Sequence, residues 1–272
     1  MQNEKAARLD AVLVSRGLAG GRDKAKQLIG AGCISVNGRV VTKPSTPVSV
    51  EDVISSAAEK PAYVSRGGYK LEKALRSSGI DLHGLCALDV GASTGGFTDC
   101  MLQNGAVRVY AVDVGHGQLN EKLRTDKRVI SCEGLDIRDA NILKIIPKAS
   151  VQFCSVDVSF ISIRQILPSI IPLLADQALL VCLIKPQFEA GRSAVGKNGV
   201  VRASKDHVRV LDELCRFFQS QNLWLRQLDF SPITGGEGNV EYLALLSLTP
   251  AVETISIDTS AVVDSAFRAL RP

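Results

Sequence analysis

Short apolar runs alternate with segments of helical periodicity from Cys86 onward, and this alternation restricts the chain to few architectures. The runs are mostly apolar, as in parallel strands that are covered on both faces. Parallel strands need crossover connections, which helices usually supply. The pattern therefore predicts a doubly wound α/β domain. The predicted strands are Cys86–Val90, Val107–Val112, Val151–Val156 and Leu179–Ile184, and the predicted helices are Phe97–Asn104, Ile161–Leu174 and Lys205–Ser220.

The end of the chain departs from this alternation. Leu223–Leu228 and Tyr242–Leu248 are strand-like runs with no helical pattern between them. We therefore predict an antiparallel hairpin at one edge of the sheet. Residues 250–272 form a C-terminal tail, with a helix predicted at Ser260–Leu270.

The start of the chain has a third pattern. Two short amphipathic segments predict two helices, and Asn37-Gly38 between apolar pairs predicts a β-hairpin, because a type I′ turn needs positive φ at both central residues. These elements predict a small α+β domain over residues 1–58, followed by a short linker at Ala57–Ala62. The larger domain would then span residues 63–249.

Charge is concentrated in this small domain. The whole chain has a net charge of +4, but residues 5–43 contain eight cations and two acids, a net charge of +6. A basic module of this kind suggests binding to a polyanion, although a solvated charged surface explains the charge equally well. The candidate cations for binding a polyanion are Arg8, Arg16, Arg22, Lys24, Lys26 and Lys43.

Other sequence features indicate the cellular compartment of the protein and the state of its cysteines. The longest apolar run, Ala178–Ile184, is far shorter than the roughly 18 residues of a membrane span, and the N-terminus lacks the apolar core of a signal peptide. We therefore expect a cytoplasmic protein without a membrane span. The seven cysteines contain no C-x-x-C pair and mostly lie in apolar runs, so we interpret them as reduced core thiols and expect no metal site.

A glycine-rich turn follows the first predicted strand of the larger domain, in Leu88–Phe97. Glycines at this point let the backbone approach a ligand at the carboxyl end of the strand. The spacing is not G-x-G-x-x-G, which disfavours a dinucleotide pyrophosphate. Asp113 ends the next strand, where a carboxylate can accept both hydroxyls of a ribose. These features favour S-adenosylmethionine over an ordinary strand-to-helix turn without a ligand.

Four further clusters each place a charged residue at a predicted strand end or turn. They contain Lys70, Asp157, Lys185 and Glu241. Any one of them alone would be an ordinary surface charge. Because burying such charges is costly unless they are paired, we expect the four to be neighbours. The histidines at 83, 116 and 207 lie outside these clusters, and we expect them on the surface or in loops.

These segments together resemble the TlyA, or hemolysin A, family. Its larger domain is an FtsJ-like, Rossmann-like ribose 2′-O-methyltransferase, and its N-terminal part is the αL RNA-binding domain shared with a small-subunit ribosomal protein. The resemblance covers nearly everything except the last two dozen residues. Its most specific segments are Tyr63–Gly68, Gly91–Asp99, Asp113–Gly115, Asp157–Ser162 and Lys185–Glu189.

The resemblance implies a function and a set of site residues. The function is methylation of a ribose 2′-hydroxyl, on a cytidine, in ribosomal RNA or ribosomal subunits. The family's catalytic Lys-Asp-Lys-Glu tetrad falls on Lys70, Asp157, Lys185 and Glu241. Its cofactor-binding positions fall on Asp89, Gly91, Ser93, Gly95, Gly96, Phe97 and Asp113, with Glu133 and Asp136 toward the adenine.

Some positions depart from the family pattern, and some roles stay open. His116 and Glu121 stand where the family commonly has Tyr and Trp, and Gly134–Asp136 replaces Arg-Thr-Asn. Lys185 would be the base or a steering group beside Lys70, but the sequence does not decide which lysine carries the mobile proton.

Two other functions remain as alternatives. One is a membrane-active hemolysin, which would need a long insertion segment that the sequence does not show. The other is an RNA-binding protein with an inactive methyltransferase domain, which the complete tetrad disfavours.

Overall fold

The computed structural model describes residues 7–56, 62–250 and 257–270. The chain divides into two compact units, Met1–Pro61 and Ala62–Pro272, each with its own core. The predicted linker Ala57–Ala62 lies outside the described residues except for Ala62, and so does Lys5 of the basic segment.

Within residues 7–56, the first unit contains two helices and two small sheets. Leu9, Leu13 and Ile29, which lie on these two helices, are buried in its core. Asn37 and Gly38 have φ of 51° and 78°, as the predicted type I′ turn requires. Its elements are β1 (Ala7–Arg8), α1 (Leu9–Ser15), α2 (Arg22–Gly30), β2 (Ile34–Val36), β3 (Arg39–Val40), β4 (Pro47–Val48) and β5 (Ile54–Ser56). Strands β3, β2 and β5 form one antiparallel sheet, and β1 pairs with β4.

The second unit alternates strands and helices. Its elements are α3 (Gly67–Ser78), β6 (Cys86–Val90), α4 (Gly96–Gln103), β7 (Arg108–Asp113), α5 (Glu121–Arg124), β8 (Val129–Glu133), α6 (Ile142–Ile145), β9 (Val151–Val156), α7 (Leu167–Ile170), β10 (Leu174–Ile184), α8 (Pro186–Glu189), α9 (Ser204–Ser220), β11 (Trp224–Phe230), β12 (Tyr242–Ser247) and α10 (Thr259–Leu270).

The strands form one seven-stranded sheet in the order β11-β12-β10-β9-β6-β7-β8. The five strands from β10 to β8 are parallel, and β12 runs antiparallel to both of its neighbours. The predicted doubly wound fold and its antiparallel edge hairpin are therefore confirmed. Strand order reverses between β6 and β9, and in open α/β sheets ligands bind at such a point.

Both faces of this sheet are buried under helices. Along β6, Ala87 packs toward α3 and α4, whereas Leu88 and Val90 pack toward the core that contains α7 and α9. Successive side chains of a strand point to opposite faces, so a strand covered on both sides is apolar throughout. This explains why the strand segments of the sequence are mostly apolar.

One predicted helix is wrong in form. The segment predicted as a helix over Ile161–Leu174 consists of a 3-10 turn at Ile163–Gln165, the single-turn α7 and a second 3-10 turn at Ile171–Leu173. Pro168 and Pro172 lack a backbone N–H and interrupt the helical ladder. Leu174 already begins β10, which starts five residues earlier than predicted.

The sequence prediction also missed elements. Helix α3, which the sequence analysis did not predict, begins at Gly67. Lys70 therefore lies in the first turn of a helix, whereas the prediction placed it at a strand end or in a loop turn. The two leading glycines suggested a turn, but Leu71, Ala74 and Leu75 have the spacing of a buried helix face. Strand β8 has only five residues at the sheet edge, and its mixed polarity gave no clear pattern.

In the C-terminal part of the chain, one prediction agrees with the structure and another is wrong. Helix α10 agrees with the predicted tail helix. His207, expected at the surface, is buried on α9, where its ring nitrogens lie 2.8 Å from the Tyr242 hydroxyl and 2.9 Å from the Val201 carbonyl oxygen.

Candidate active site

Two loops meet at the point where strand order reverses. Gly91 follows β6 and Asp157 follows β9, and the Asp157 N–H donates to the Val90 carbonyl at 2.9 Å. Gly91 has φ of 86°, and a Cβ at this position would collide with the Asp157 carbonyl oxygen. Only glycine allows this close approach, which places Asp157 beside the glycine-rich turn.

All four predicted tetrad residues line one cavity of about 330 Å³ at this point. Lys70 comes from α3, Asp157 follows β9, Lys185 follows β10, and Glu241 precedes β12. The carboxyl ends of β9 and β10 deliver two of them, and the antiparallel β12 brings Glu241 to the same edge because its amino end lies there. The structure therefore assembles the neighbours that the sequence predicts.

The first ion pair of the cavity joins Lys70 and Glu241. Their Nζ and Oε2 atoms lie 2.6 Å apart, and both side chains are almost fully buried. Burial raises the pKa of Glu241 above its ordinary value, and the Lys70 ammonium opposes this rise. Gly235 packs against the Glu241 carboxylate so closely that a Cβ would collide with it. The pair is therefore held in a fixed position in the cavity wall.

The second ion pair joins Lys185 and Asp157. The Lys185 Nζ lies 2.7 Å from Asp157 Oδ1 and also donates to the Ser159 hydroxyl at 2.9 Å. The Lys185 side chain is 11% exposed. Asp157 and Ser159 also line the neighbouring cavity, so Lys185 stands at the junction of the two.

The neighbouring cavity has a volume of about 580 Å³ and lies over the carboxyl ends of β6 and β7. Its apolar walls include Val112, Ile137 and Val158, and its polar lining includes Asp113 and Asp136. Apolar walls suit an adenine ring, carboxylates suit ribose hydroxyls and a cationic sulfonium, and the close approach at Gly91 allows backbone contact. The residues present therefore fit S-adenosylmethionine.

The predicted cofactor residues divide between the two cavities. Gly91 and Ser93 line both cavities, and Asp113 and Asp136 line the larger one. Gly96 and Phe97 line only the tetrad cavity. Asp113 accepts from the Ser93 N–H at 2.8 Å and the Gly115 N–H at 2.7 Å. It therefore holds the glycine-rich turn as well as facing the cavity.

Three other predicted cofactor residues line neither cavity. Asp89 is buried beneath the turn, where it accepts hydrogen bonds from the hydroxyls of Thr98 at 2.7 Å and Ser155 at 3.0 Å. Burial raises its pKa to about 7. Asp89 thus joins β6, β9 and α4, and its assignment to the cofactor site stays a prediction.

The other two are Gly95 and Glu133. Gly95 has φ of 92° at the start of α4, and the side chains of Leu119 and Leu123 occupy the space of a Cβ. Glu133 accepts from the backbone N–H groups of Gln118 at 2.7 Å and Leu119 at 3.1 Å, which lowers its pKa. Both residues shape the loop after β7 and do not face the cavity.

Asp136 lines the larger cavity but is already paired. Arg138 donates to both of its carboxylate oxygens, at 2.9 and 2.6 Å, and lowers its pKa. Arg138 lines the same cavity. An adenine contact from Asp136 would therefore use the lone pairs that Arg138 leaves free.

The loop after Asp157 contains a residue that the sequence reasoning missed. Phe160 is 91% exposed, has φ of 65° and lines the larger cavity. Its ring lies 5.2 Å from that of Phe188. A non-glycine residue with positive φ is uncommon and stores strain unless its surroundings fix it. An aromatic residue after a charged strand end was the available signal.

Glu189 is the residue that fixes this loop. It is buried on α8, where it accepts from the Ser162 hydroxyl at 2.6 Å and the Ile163 N–H at 2.8 Å. Because α8 begins directly after Lys185, Glu189 ties the loop that carries Asp157 to the segment that carries Lys185.

The predicted RNA-binding cations differ in how they are engaged. Arg8 pairs with Asp10 at 3.0 Å, Lys26 pairs with Asp23 at 3.2 Å, and Arg16 donates to backbone carbonyls, including that of Asp52. Within residues 7–56 and the rest of the described chain, three predicted cations have no hydrogen bond or ion pair from their side chains, namely Arg22, Lys24 and Lys43.

Two family models match the chain, and their limits follow the two units. The FtsJ-like methyltransferase model matches residues 63–248, and the S4 domain model matches residues 7–54. The candidate rRNA methyltransferase YqxC of Bacillus subtilis is 46% identical over 239 residues, which are 88% of this chain and 85% of that protein.

Two further relatives extend the likeness. The 16S/23S rRNA (cytidine-2′-O)-methyltransferase TlyA of Mycobacterium tuberculosis is 40% identical over 246 residues, 89% of this chain and 90% of that protein. A solved structure of a candidate hemolysin from Streptococcus thermophilus has a TM-score of 0.74 and 42% identity, and covers 98% of this chain and 97% of that chain. The chain therefore belongs to the FtsJ-like methyltransferase family and, within it, to the TlyA, or hemolysin A, proteins.

Proposed function

We propose that this protein transfers the methyl group of S-adenosylmethionine to the 2′-hydroxyl of a cytidine ribose in ribosomal RNA. The observation that carries the proposal is the tetrad cavity, which lies directly beside a cavity suited to the methyl donor. Gly91, Ser93, Asp157 and Ser159 belong to both. The names of the relatives support ribosomal RNA and cytidine as the substrate.

The reaction requires a ribose oxygen aligned with the methyl group and a route for its proton. When bound, S-adenosylmethionine supplies an electrophilic methyl group on a positively charged sulfur. The 2′-oxygen would bond to the methyl carbon as the carbon–sulfur bond of the donor breaks, and the hydroxyl proton would pass to a base of the protein. Holding the oxygen at the correct distance and angle supplies much of the rate.

Lys185 would receive or steer that proton. Its Nζ stands at the junction of the cavities, 2.7 Å from Asp157. Lys70 is bound to Glu241 at 2.6 Å and lines the same cavity as Lys185. Asp157 orients Lys185 and faces the position of the cationic sulfur.

The larger cavity would bind the rest of the cofactor. Asp113 is placed to accept hydrogen bonds from the ribose hydroxyls with the lone pairs that Ser93 and Gly115 leave free. Asp136 lies toward the adenine end. Asp89, Gly95 and Glu133 would act indirectly, through the loops that they hold.

RNA binding would involve both units. In the first unit, the side chains of Arg22, Lys24 and Lys43 are exposed and can pair with phosphates. In the second unit, Arg66 is exposed and lines the tetrad cavity, where a phosphate next to the target ribose would lie. The exposed ring of Phe160 offers a surface on which a base can stack.

An RNA substrate of this kind also implies a cytoplasmic location. Within residues 7–56, 62–250 and 257–270, the structure contains no helix of the length and apolarity needed to span a bilayer. The same described residues contain no cluster of three metal-binding side chains. An inactive methyltransferase domain would have no need of two closely spaced ion pairs in one cavity.

Incubation with labelled S-adenosylmethionine and purified ribosomal subunits tests this function. We expect label in ribosomal RNA with the intact protein and almost none with Lys185→Ala. Absence of label from RNA of both subunits, and from protein-free ribosomal RNA, would contradict the proposal.

A further inference from the structure

Lys185 Nζ has a hydrogen-bond partner, Ser159, that lies outside the tetrad. A lysine nitrogen has four tetrahedral directions, and one of them is its bond to Cε. Ser159 Oγ accepts a hydrogen bond along a second direction, at 2.9 Å. Asp157 Oδ1 lies only 2.7 Å from the nitrogen but accepts no hydrogen bond within the described residues. Ser159 therefore sets the rotation of the amine, and a direction remains for a ligand in the cavity that Lys185 lines.

We propose that Ser159 is a positioning residue that directs this remaining direction of Lys185 Nζ at the ribose hydroxyl. The proposal rests on the proposed function, and it adds a fifth residue to the four of the tetrad. Ser159 acts through Lys185 and forms no bond to the reacting atoms.

Ser159 acts through the rotation of the Lys185 amine. The amine can turn about its Cε–Nζ bond, and one accepted N–H is enough to fix that turn. Among the described residues, Ser159 Oγ accepts this hydrogen bond, whereas Asp157 Oδ1 attracts the amine without accepting one. Without the Ser159 hydroxyl, rotation can turn the direction that faces the cavity away from the ribose hydroxyl. Ser159 thus gives the amine a fixed orientation.

The loop geometry supports this role because it fixes the hydroxyl before the substrate binds. Asp157 is held against Gly91 and Val90 at the start of the loop. At its end, Glu189 binds Ser162 and Ile163. Ser159 lies between these two anchors. Preorganised groups of this kind pay little reorganisation cost when the reaction occurs.

The test compares three variants of the full-length protein. Ser159→Ala removes the acceptor, Ser159→Thr retains a hydroxyl, and Ser150→Ala removes a serine hydroxyl at the opposite end of β9, where it donates to the Pro147 carbonyl at 2.7 Å. Ser159 is exposed, so its truncation should not affect folding. The measurements are kcat and the KM for S-adenosylmethionine on ribosomal RNA.

We expect Ser159→Ala to lower kcat about 10-fold with an unchanged KM, because orientation is lost while binding is retained. Ser159→Thr should recover most of the rate, and Ser150→Ala should behave as the wild type. Wild-type kcat in Ser159→Ala, or a threonine variant as slow as the alanine variant, would overturn the proposal.

A second measurement separates this inference from the proposed function. In protein labelled with ¹⁵N-lysine, the Lys185 side-chain signal is assigned by its absence from Lys185→Arg. Ser159→Ala should shift this signal and speed its hydrogen exchange, whereas Ser150→Ala should not. An unmoved signal would overturn the role of Ser159 even if RNA methylation is observed. Failure of the wild type to methylate RNA, with a shifted signal, would overturn only the proposed function.

Discussion

Lys70 Nζ and Glu241 Oε2 lie 2.6 Å apart although 171 positions separate the two residues in the sequence. The contact joins the first turn of α3 to the start of β12, and both residues are buried. A buried charge that loses its partner is costly, but a carboxyl group can take up a proton instead. Since burial already raises the pKa of Glu241, a protein without the Lys70 ammonium should still fold.

Substitution of either lysine should therefore separate catalysis from folding. We expect Lys70→Ala and Lys185→Ala each to lower kcat by about 10² or more, the range typical of lost acid–base groups. Residues that act as a unit are not additive, so the double variant should be little slower than the slower single variant. Single-turnover methyl transfer with both substrates saturating measures this.

The matched control is Lys73→Ala, one turn further along α3. Lys73 pairs with Asp229 at 2.9 Å and does not line the tetrad cavity. The Lys73→Ala variant should keep the wild-type rate of methyl transfer. Near-normal turnover in Lys70→Ala or Lys185→Ala would remove that lysine from the proposed machinery.

Asp113 should matter for the cofactor and not for RNA. Asp113→Ala removes a carboxylate that faces the larger cavity and holds the N–H groups of Ser93 and Gly115. We expect the affinity for S-adenosylmethionine to fall about 10-fold or more, since a charge-assisted hydrogen bond contributes about 1.5–3 kcal/mol. Calorimetry measures the change.

A carboxylate of similar local geometry provides the control for Asp113. Asp126 accepts from the Arg128 N–H at 2.9 Å, as Asp113 accepts from the N–H of Gly115, and it does not line either cavity. Asp126→Ala should leave cofactor affinity unchanged. Equal affinities in Asp113→Ala and the wild type would exclude Asp113 from the binding site.

Asp89 should give the protein a specific pH dependence of stability. Its pKa is about 7 in the folded protein against 3.8 as the ordinary value. Between these values the folded state binds the proton more tightly, so the contribution of Asp89 to stability declines as pH rises from about 4 to about 7. Asp89→Asn cannot titrate and should lack this decline.

Urea unfolding at pH 5 and pH 8 measures this decline in the contribution of Asp89 to stability. The wild-type free energy of unfolding, relative to that of Asp89→Asn, should be lower at pH 8 than at pH 5. The same difference at both pH values would show that Asp89 does not titrate in this range.

The basic first unit should supply RNA affinity. Deletion of residues 1–58 should leave a folded second unit that binds S-adenosylmethionine, because each unit has its own core. RNA methylation should collapse, and the remaining RNA binding should depend less on salt, since each phosphate contact adds roughly 0.7–0.9 to the slope. A truncated protein that methylates RNA at the full-length rate would show that the basic segment is only a solvated surface.

The sequence predicted the structure best where the local pattern of a segment matches its environment in the folded protein. The runs of β6 and β9 are apolar because both sheet faces are covered, and Asn37-Gly38 forms a turn because its φ angles demand it. The four tetrad residues were expected to be neighbours because buried charges require partners, and the resemblance to the family assigned the tetrad to them.

Other features depend on contacts that no local pattern contains. Asp89 and Asp113 both occupy the last part of a strand, yet one is buried beneath the turn and the other faces a cavity. The difference depends on which face of the sheet edge each carboxylate reaches. The pairing of Lys70 with Glu241, and not with Asp157, required knowing that β12 is antiparallel. The positive φ of Phe160 depends on anchors from α8.

The chemical identity of the methylated nucleoside tests the central claim most directly. Ribosomal RNA from subunits treated with the protein and S-adenosylmethionine is digested to nucleosides and analysed by mass spectrometry, with Lys185→Ala as the control. The account predicts 2′-O-methylcytidine with the wild type and background levels with the variant. A methyl group on the base, or equal 2′-O-methylcytidine with Lys185→Ala, would contradict it.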